Sequence, residues 1–396
     1  MAKDNRTGVL LILENLPFPF VRRAWQEAVA LRDAGYRVHV ISPKGAGYET
    51  NHEVIEDIDI YRYRVYEASG PFGYALEYCK ALAAQLYLAS KIFWRYGFRV
   101  VHTWNPPDIM FLNGLIFKAF GARYIFDHLD LNPELYLAKF GKQDVFYKLV
   151  CLVEKCAFHT ADVSLATNQS YREIAIQRGG KQPDRVFIVR VSPEPDKMKR
   201  LDPIPELKMG RKFLVVYLGV MGPQDGVDLL IQSIEHIIRK GRDDIQFTLI
   251  GSGTEVPHLK SLVAQKKLEP WVNFTGRIPG GELANYLSTA DVGVASDPLN
   301  AMNDKSTMGK VLEYMAFNIP VVQYEVTEGR RSAGEASLYA RPNDPADFAC
   351  KILQLIDSEE LRRRMGQIGR QRIEQDFNWE IDRKSLLSAY AKALEG

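Results

Sequence analysis

The sequence has few cysteines, little excess charge and no long hydrophobic run. Its 396 residues include four scattered cysteines, Cys79, Cys151, Cys156 and Cys350, which form no C-x-x-C pair. This pattern argues against a disulfide scaffold or a structural zinc site and is typical of free thiols in a reducing compartment. The formal net charge is only +2. Composition therefore gives no sign of a nucleic-acid partner.

The chain also lacks the hydrophobic stretches that export or membrane insertion requires. The N-terminal segment MAKDNRTGVLLILENLPF has a polar start and a short apolar run, unlike a secretory signal. No stretch approaches the length of a membrane span, and we expect a cytoplasmic protein. Residues 135–158 mix Leu, Phe and Tyr with Lys. We expect this helix to pack against its own domain, and peripheral contact with the inner face of the cell membrane is left open.

Short apolar runs alternate with amphipathic segments along the first half of the chain. Gly8 to Leu13 has the continuous apolar character of a buried strand, Val21 to Asp33 has helical spacing, and Tyr36 to Ile41 returns to a strand pattern. Strand, helix and strand with short links predict a βαβ unit and hence a parallel sheet. Residues 54–66 alternate apolar and charged positions, which predicts an edge strand.

A proline-rich break divides the chain. Residues 192–211 contain four prolines among charged residues and are expected to form a linker, after which the alternation resumes. We predict an α/β fold of two Rossmann-like, doubly wound domains facing a cleft. The first covers 1–195, the second covers 206–375, and a C-terminal helix over 376–396 packs back toward the first. Because ligands of open parallel sheets bind beyond the carboxyl ends of the strands, the cleft is the expected active site.

The segment KSTMGKVLEYMA, residues 305–316, joins a polar loop to a helix that starts near Met308. A helix N-terminus carries N–H groups and a partial positive charge that suit a phosphate. Gly309 lets a phosphate approach the backbone closely, and Lys310 adds a charge in the first turn. Glu313 lies one turn later, where a carboxylate can accept hydrogen bonds from a ribose diol. Without its neighbours, the segment also fits a capped helix with exposed Lys and Glu.

Several segments resemble, in the same order, the retaining glycosyltransferases of family 4, which have the GT-B architecture, and among them the bacterial polysaccharide type. The second half carries YLGVMGPQDGVDLLIQSI, FTLIGSGTEVPHL, VNFTGRIP, ADVGVASDP, KSTMGKVLEYMAFNIPVV and DFNWEIDRKSLLSAYAKAL. The first half agrees more loosely, through VVHTWNPPD and YIFDHLDLNPELY. The resemblance implies sugar transfer from a nucleotide-diphosphate-sugar donor to a glycan or lipid-linked acceptor in surface polysaccharide biosynthesis. It implies no further cofactor.

The resemblance also assigns the donor site to the C-terminal domain. It implies that Glu313 binds the ribose and that the segment from Gly276 to Ile278 lies against the base. The Arg277 guanidinium can stack on that base. An exposed loop arginine is the alternative for Arg277. The other donor-binding residues expected are Gly222, Lys305, Ser306, Thr307, Met308, Gly309 and Lys310.

The chain departs from the family pattern where the donor is held. Many members have a sugar-contacting Glu at the position of Lys305 and a phosphate-binding Arg and Lys at the positions of Val220 and Asp225. The usual charge compensation of the diphosphate is therefore missing. We hypothesise that part of it is taken over by Lys305, Lys310 and the hydroxyls of Ser306 and Thr307.

The first domain is expected to carry the acceptor and the chemistry. The resemblance matches His128 to a catalytic histidine that faces the donor sugar, where an imidazole can bond a hydroxyl or stabilise developing charge. A local loop contact is the alternative. Arg22 and Arg23 open the first helix and can meet an acceptor phosphate, or they form a solvated helix face. Trp104 follows a strand at the same edge and is expected at the acceptor.

The resemblance implies retaining transfer without a protein nucleophile, in which the leaving phosphate assists deprotonation of the acceptor. No carboxylate pair typical of a glycosidase stands out. The acidic triplet Asp57-Ile58-Asp59 mimics a metal-binding D-x-D, but it falls in the edge region and is interpreted as surface acid, so no metal is expected. Two alternatives stay open: a sugar-nucleotide epimerase of the same architecture, and a catalytically degenerate nucleotide-sugar-binding subunit.

Overall fold

The computed structural model describes residues 6–64 and 71–395, with side chains from residue 76 onward in the second stretch. The chain forms two compact units, one of Met1–Arg190 with Asp382–Gly396 and one of Val191–Ile381. Each unit contains one sheet with a parallel core and helices between its strands. The prediction of two Rossmann-like α/β domains is confirmed.

The first unit has an eight-stranded sheet with the order β3-β4-β2-β1-β5-β6-β7-β8, in which only the β3/β4 pair is antiparallel. Its elements in chain order are β1 (Gly8–Ile12), α1 (Arg22–Asp33), β2 (Arg37–Pro43), β3 (His52–Ile55), β4 (Ile58–Tyr63), α2 (Pro71–Tyr96), β5 (Val100–Trp104), α3 (Phe111–Lys118), β6 (Arg123–His128), α4 (Asn132–Phe140), α5 (Val145–Thr160), β7 (Val163–Ala166), α6 (Gln169–Gln177) and β8 (Val186–Ile188).

The central strands of this sheet are buried on both faces. All five residues of β1 and all five of β5 are buried. Leu10 and Ile12 of β1 share one core cluster with Val101 of β5 and Phe126 of β6. Continuous burial explains why these strands read as unbroken apolar runs in the sequence.

The prediction of a single edge strand over residues 54–66 is wrong. The structure has a hairpin of β3 and β4, in which His52 pairs with Tyr61 and Ile55 with Ile58. Its turn is formed by Glu56 and Asp57 at φ values of 46° and 60°. Because no glycine or proline marks this left-handed turn, the alternation runs through it without a visible break. Residues 65 and 66 lie outside the described residues.

The second unit has a six-stranded, fully parallel sheet with the order β11-β10-β9-β12-β13-β14. The order reverses between β9 and β12, which is where open α/β sheets bind ligands. Its elements are β9 (Phe213–Leu218), α7 (Val227–Arg239), β10 (Ile245–Ile250), α8 (Val256–Gln265), β11 (Val272–Gly276), α9 (Gly280–Thr289), β12 (Val292–Ala295), α10 (Gly309–Ala316), β13 (Val321–Tyr324), α11 (Thr327–Ala333), β14 (Ser337–Ala340), α12 (Pro345–Ile356), α13 (Glu359–Gln375) and the start of α14 (Trp379–Glu395).

The proline-rich segment 192–211 contains one short 3-10 turn, Pro205–Lys208, and belongs to the second unit. Arg200 donates from Nε to the Ser288 carbonyl at 3.0 Å, and Arg370 of α13 donates to the Met198 carbonyl at 2.7 Å. The segment predicted as a linker is therefore held against α9 and α13 by hydrogen bonds.

Candidate active site

A cavity of about 490 Å³ lies at the carboxyl end of the second sheet. The loops that follow β9, β10 and β11 form three of its walls, and the first turns of α10 form the fourth. The lining residues are Leu218, Gly219, Val220, Ile250, Gly251, Ser252, Arg277, Ile278, Leu283, Gly309, Lys310 and Glu313.

Two glycines bring the first two loops into contact. Gly251 has a φ of 136°, and a Cβ added there would lie 1.8 Å from the Gly219 carbonyl oxygen. Gly219 itself has a φ of 145°, and its N–H donates to the Ile250 carbonyl at 3.0 Å. The backbones meet at a distance that no side chain permits. The cavity wall is consequently made of main chain rather than side chains.

Helix α10 begins at Gly309, close to the predicted start at Met308. Met308 has an extended backbone, and no side-chain hydrogen bond caps this end of the helix. A Cβ placed on Gly309 would meet no atom within 4 Å, so the space in front of the helix start is open. An uncapped helix start facing an open cavity is a suitable place for an anion.

Lys310, predicted to face the diphosphate, is paired inside the protein. Its Nζ lies 3.0 and 3.1 Å from the two carboxylate oxygens of Asp297 and donates to the Tyr217 hydroxyl at 3.3 Å. It also lies 4.5 Å from the Tyr217 ring centroid. The Lys310 and Asp297 side chains are only 9% and 5% exposed. Because these acceptors use the three N–H donors of the ammonium, Lys310 adds little net charge to the cavity.

Asp225 brings a second carboxylate near this pair. One of its oxygens accepts a hydrogen bond from the Gly222 N–H at 2.9 Å. Burial raises the pKa of the Asp225 carboxyl, an effect that the Gly222 N–H and the charge of Lys310 oppose and that of Asp297 supports. Gly222 is thus bonded to Asp225 and is outside the lining residues of the cavity.

The remaining predicted donor residues divide into two groups. Glu313 and the exposed Arg277 line the cavity, Glu313 one turn beyond Gly309. Among the residues that the structure describes, the cavity lining does not include Lys305, Ser306, Thr307 or Met308. The Ser306 hydroxyl donates to the Met302 carbonyl at 2.9 Å, and Lys305 and Thr307 flank Ser306. Met308 packs against the hydrophobic core of the second unit.

A cavity of about 220 Å³ lies at the carboxyl end of the first sheet, where β1, β5 and β6 end. Trp104, predicted at the acceptor, lines it and stacks on His102 with a centroid distance of 4.2 Å. Glu14 and Asp130 line the same space. Burial and the charge of Glu77 raise the pKa of Glu14 to about 7, and burial raises the pKa of Asp130.

The two predicted acceptor arginines lie in different surroundings. Arg22 is exposed, whereas Arg23 is 3% exposed. The Arg23 guanidinium contacts Asp127 at 2.6 Å and Glu27 at 2.8 Å and donates to a backbone carbonyl at 2.7 Å. Arg23 lines the same cavity as Trp104, but these contacts hold its guanidinium within its own unit, and its role at the acceptor stays a prediction.

Glu27, His102 and Asp127 offer ligand atoms within 4.8 Å of one another, the spacing of a metal site. The Arg23 guanidinium contacts both carboxylates and already neutralises part of their charge. Burial lowers the pKa of the His102 imidazole, and its Nδ1 lies 2.9 Å from the Tyr390 hydroxyl of α14. The cluster is best described as a buried ion-pair network rather than a metal centre.

His128, the predicted catalytic residue, is fully buried at the end of β6. Its Nε2 lies 3.3 Å from Glu154, and its ring packs 5.0 Å from Phe158 and 5.3 Å from Tyr171. The imidazole is thus enclosed within its own unit, and its catalytic role stays a prediction.

Models of two domain families together match most of the chain. The Glycosyl transferase 4-like domain matches residues 21–191, and Glycosyl transferases group 1 matches residues 212–358. The chain belongs to the GT-B glycosyltransferases of the family 4/1 type. This confirms the family predicted from the ordered motifs.

Individual relatives of this glycosyltransferase are distant. O-antigen chain mannosyltransferase B of Escherichia coli is 24% identical over 213 residues, 52% of this chain and 54% of that protein. The chain spans about half the length of the curated relatives it matches. Sucrose-phosphate synthase from Thermosynechococcus elongatus superposes with a TM-score of 0.78 at 19% identity, covering 98% of this chain and 100% of that one. Anabaena HepE in complex with UDP-glucose gives 0.73 at 13%, covering 97% and 99%. At these identities the structures show the shared fold.

Sequence reasoning missed three carboxylates around the two cavities. Asp297 follows β12, Glu14 follows β1 and Asp130 follows β6, so each stands just beyond the carboxyl end of a parallel strand. That position was the available signal, because ligands of such sheets bind there.

Proposed function

We propose that this protein transfers a sugar, with retention of anomeric configuration, from a nucleoside-diphosphate-sugar to a glycan or lipid-linked acceptor in surface polysaccharide assembly. The observation that carries the proposal is the cavity in which an uncapped helix start, two close glycine loops and Glu313 meet. The helix start and main-chain wall suit a diphosphate, and the Glu313 carboxylate suits a ribose diol.

The proposed charge compensation of the diphosphate differs from the first hypothesis. Since Lys310 is already paired with Asp297, it enters the site as part of a nearly neutral pair. The N-terminus of α10 and the exposed Arg277 then supply most of the attraction. Lys305, Ser306 and Thr307 stay proposed contributors through the loop that precedes the helix.

The proposed acceptor site is the cavity lined by Trp104, Glu14 and Asp130, which we call the acceptor pocket. An indole edge beside carboxyl groups offers both an apolar surface and hydrogen-bond partners for a sugar ring. In the transfer, the bond between the anomeric carbon and the diphosphate oxygen breaks, and the acceptor oxygen bonds to the same face of the sugar. The acceptor proton passes to the leaving phosphate. No metal enters this scheme.

Peripheral contact with an anionic membrane at the cytoplasmic face is part of the proposal. The helix predicted over 135–158 is divided into α4 and α5 in the structure, and one face of α5 packs inward through Ala157 and Phe158. On the other face, large apolar side chains are 53–78% exposed beside exposed lysines: Val145, Phe146, Leu149 and Leu152 with Lys148 and Lys155. Such a combination suits adsorption to a membrane surface. No helix in the described ranges has the length and apolar character needed to span a bilayer.

The proposal is tested by titrating the protein with UDP-, GDP- and dTDP-sugars while its thermal unfolding is followed. A ligand that binds the folded state at one hundred times its Kd stabilises it by about 2.7 kcal/mol. Glu313→Gln is expected to reduce this effect, and Glu360→Gln, an exposed carboxylate on α13, serves as the matched control.

Turnover then separates the alternatives. Release of nucleoside diphosphate that an acceptor accelerates supports the transferase. Conversion of the sugar without release of nucleotide would identify an epimerase, and binding without any turnover would identify a non-catalytic binding subunit. Either of the last two results contradicts the proposal.

A further inference from the structure

A second cavity of the first unit lies between the loop after β5 and helices α4 and α5. It has a volume of about 450 Å³ and is lined mainly by apolar side chains. We call it the apolar groove and define it by Pro107, Ile109, Leu135, Phe140, Leu149 and Val153.

Polar groups beside the groove are bonded to one another. Asp108 accepts hydrogen bonds from the side-chain amides of Asn105 and Asn132, each at 2.8 Å. The Tyr136 hydroxyl bonds the carboxylate of Asp144 at 2.9 Å. Apart from the exposed Lys139, these bonds leave mainly the Tyr136 ring and apolar side chains as the surface that a ligand meets, which favours an apolar ligand.

The groove adjoins the acceptor pocket. Pro106 lines both cavities, so their walls share this residue. Asn105, beside it, fixes the shared loop, because its Oδ1 accepts from the Asp130 N–H at 3.0 Å while its amide bonds Asp108. A ligand that filled both cavities would be polar at the Glu14 and Trp104 end and apolar at the other.

The far end of the groove opens toward the exposed face of α5. Leu149 and Phe140, both lining residues, are 53% and 58% exposed. Val145 and Phe146 continue the apolar surface at 78% and 67% exposure. A chain longer than the groove therefore meets further apolar side chains on this face, beside the exposed lysines Lys139 and Lys148.

We infer that the apolar groove is the binding site for the hydrocarbon chain of an amphipathic acceptor, a sugar joined to an alkyl or isoprenoid chain. The sugar lies in the acceptor pocket beside Trp104, and the chain passes Pro106 into the groove. This assignment rests on the proposed transferase function and selects the lipid-linked class of acceptor over a free glycan.

The inference is tested by calorimetric titration of the full chain with methyl, butyl and octyl β-D-glucosides below their micellar concentrations. Burial of each added methylene in the groove is expected to raise affinity by about two- to fourfold until the groove is filled. The three ligands share one sugar, so any difference reports the chain alone. Equal affinities for the three glucosides would overturn the inference.

Two matched variants locate the contact. Leu149→Gln changes a groove residue, and Leu152→Gln changes a leucine of the same helix that is 56% exposed and outside the groove lining. Leu149→Gln is expected to weaken octyl glucoside binding by roughly five- to tenfold while methyl glucoside is unaffected, because only the chain loses apolar contact. Leu152→Gln is expected to match the wild type. Equal losses in both variants would show unspecific adhesion to α5 and overturn the assignment.

Donor titration of the same samples separates this inference from the proposed function. If nucleoside-diphosphate-sugars bind and turn over but chain length has no effect, the groove assignment fails and the transferase stands. If chain length matters but no donor binds, the groove is an apolar site without an acceptor role, and both proposals fail.

Discussion

Replacing Asp297 by Asn isolates the electrostatic role of the Lys310 pair. The two side chains are 5% and 9% exposed and their charged atoms lie 3.0 Å apart, so the substitution leaves a nearly buried ammonium without its anion. Removing one partner of a buried pair costs about 3–5 kcal/mol of unfolding free energy. The Tyr217 hydroxyl and ring stay in contact with Lys310, which places the expected loss near 3 kcal/mol.

The same substitution has the opposite effect on anion binding. It removes one negative charge beside the cavity and leaves Lys310 positive. A unit charge at contact distance contributes about 1 kcal/mol in bulk water and about 4 kcal/mol near a protein surface. We therefore expect Asp297→Asn to bind UDP or GDP about tenfold or more tightly while unfolding at a lower temperature.

Calorimetry at 0.15 M salt measures the affinity, and urea unfolding measures the stability. Asp243→Asn is the matched control, because it removes the same charge from an exposed position before β10, at the opposite end of the sheet. Weaker nucleotide binding in Asp297→Asn would refute the reasoning, since it would mean that Asp297 orients Lys310 toward the phosphates rather than neutralising it.

Three further predictions concern stability. The pKa of Glu14 is raised from 4.5 to about 7, so the folded state retains a proton that the unfolded chain loses, and stability falls as pH rises between these values. The melting temperature of Glu14→Gln should therefore rise relative to that of the wild type from pH 5 to pH 8, and a constant difference between the two would contradict this. Gly251→Ala places a Cβ against Gly219 and is expected to lower the free energy of unfolding, measured in urea, by about 1–3 kcal/mol or more. Gly309→Ala, whose Cβ meets open space, should leave this free energy unchanged. Asp127→Asn removes an anion from buried Arg23 and should cost about 3–5 kcal/mol, and a loss below 1 kcal/mol would show that the network is dispensable.

The fold was largely predictable because buried parallel strands have a strong local pattern. The strand expected over Gly8 to Leu13 is Gly8–Ile12 in the structure, and the one expected over Tyr36 to Ile41 is Arg37–Pro43. The hairpin around Glu56 was missed because its turn uses two ordinary residues in a left-handed conformation. A pattern of period two continues through such a turn without interruption.

The site was predictable only where local sequence determines its geometry. The start of α10 at Gly309 follows from loop and helix signals within a few residues. The surroundings of Arg23 depend on Asp127 and Val189, which are 104 and 166 positions away along the chain. Lys310 and Asp297 are only 13 positions apart, but their pairing depends on how the loop after β12 folds back over the first turn of α10. Periodicity alone gives neither the sheet order nor the path of such a loop.

The central claim, that this protein transfers a sugar from a nucleoside diphosphate, is tested most directly by one assay. Wild-type protein is incubated with UDP-, GDP- and dTDP-sugars and n-octyl glycosides, and nucleoside diphosphate release and the product anomer are followed by nuclear magnetic resonance. We predict release that the acceptor accelerates and a product with the anomeric configuration of the donor. Absence of release with every donor, or an inverted product, would contradict the account.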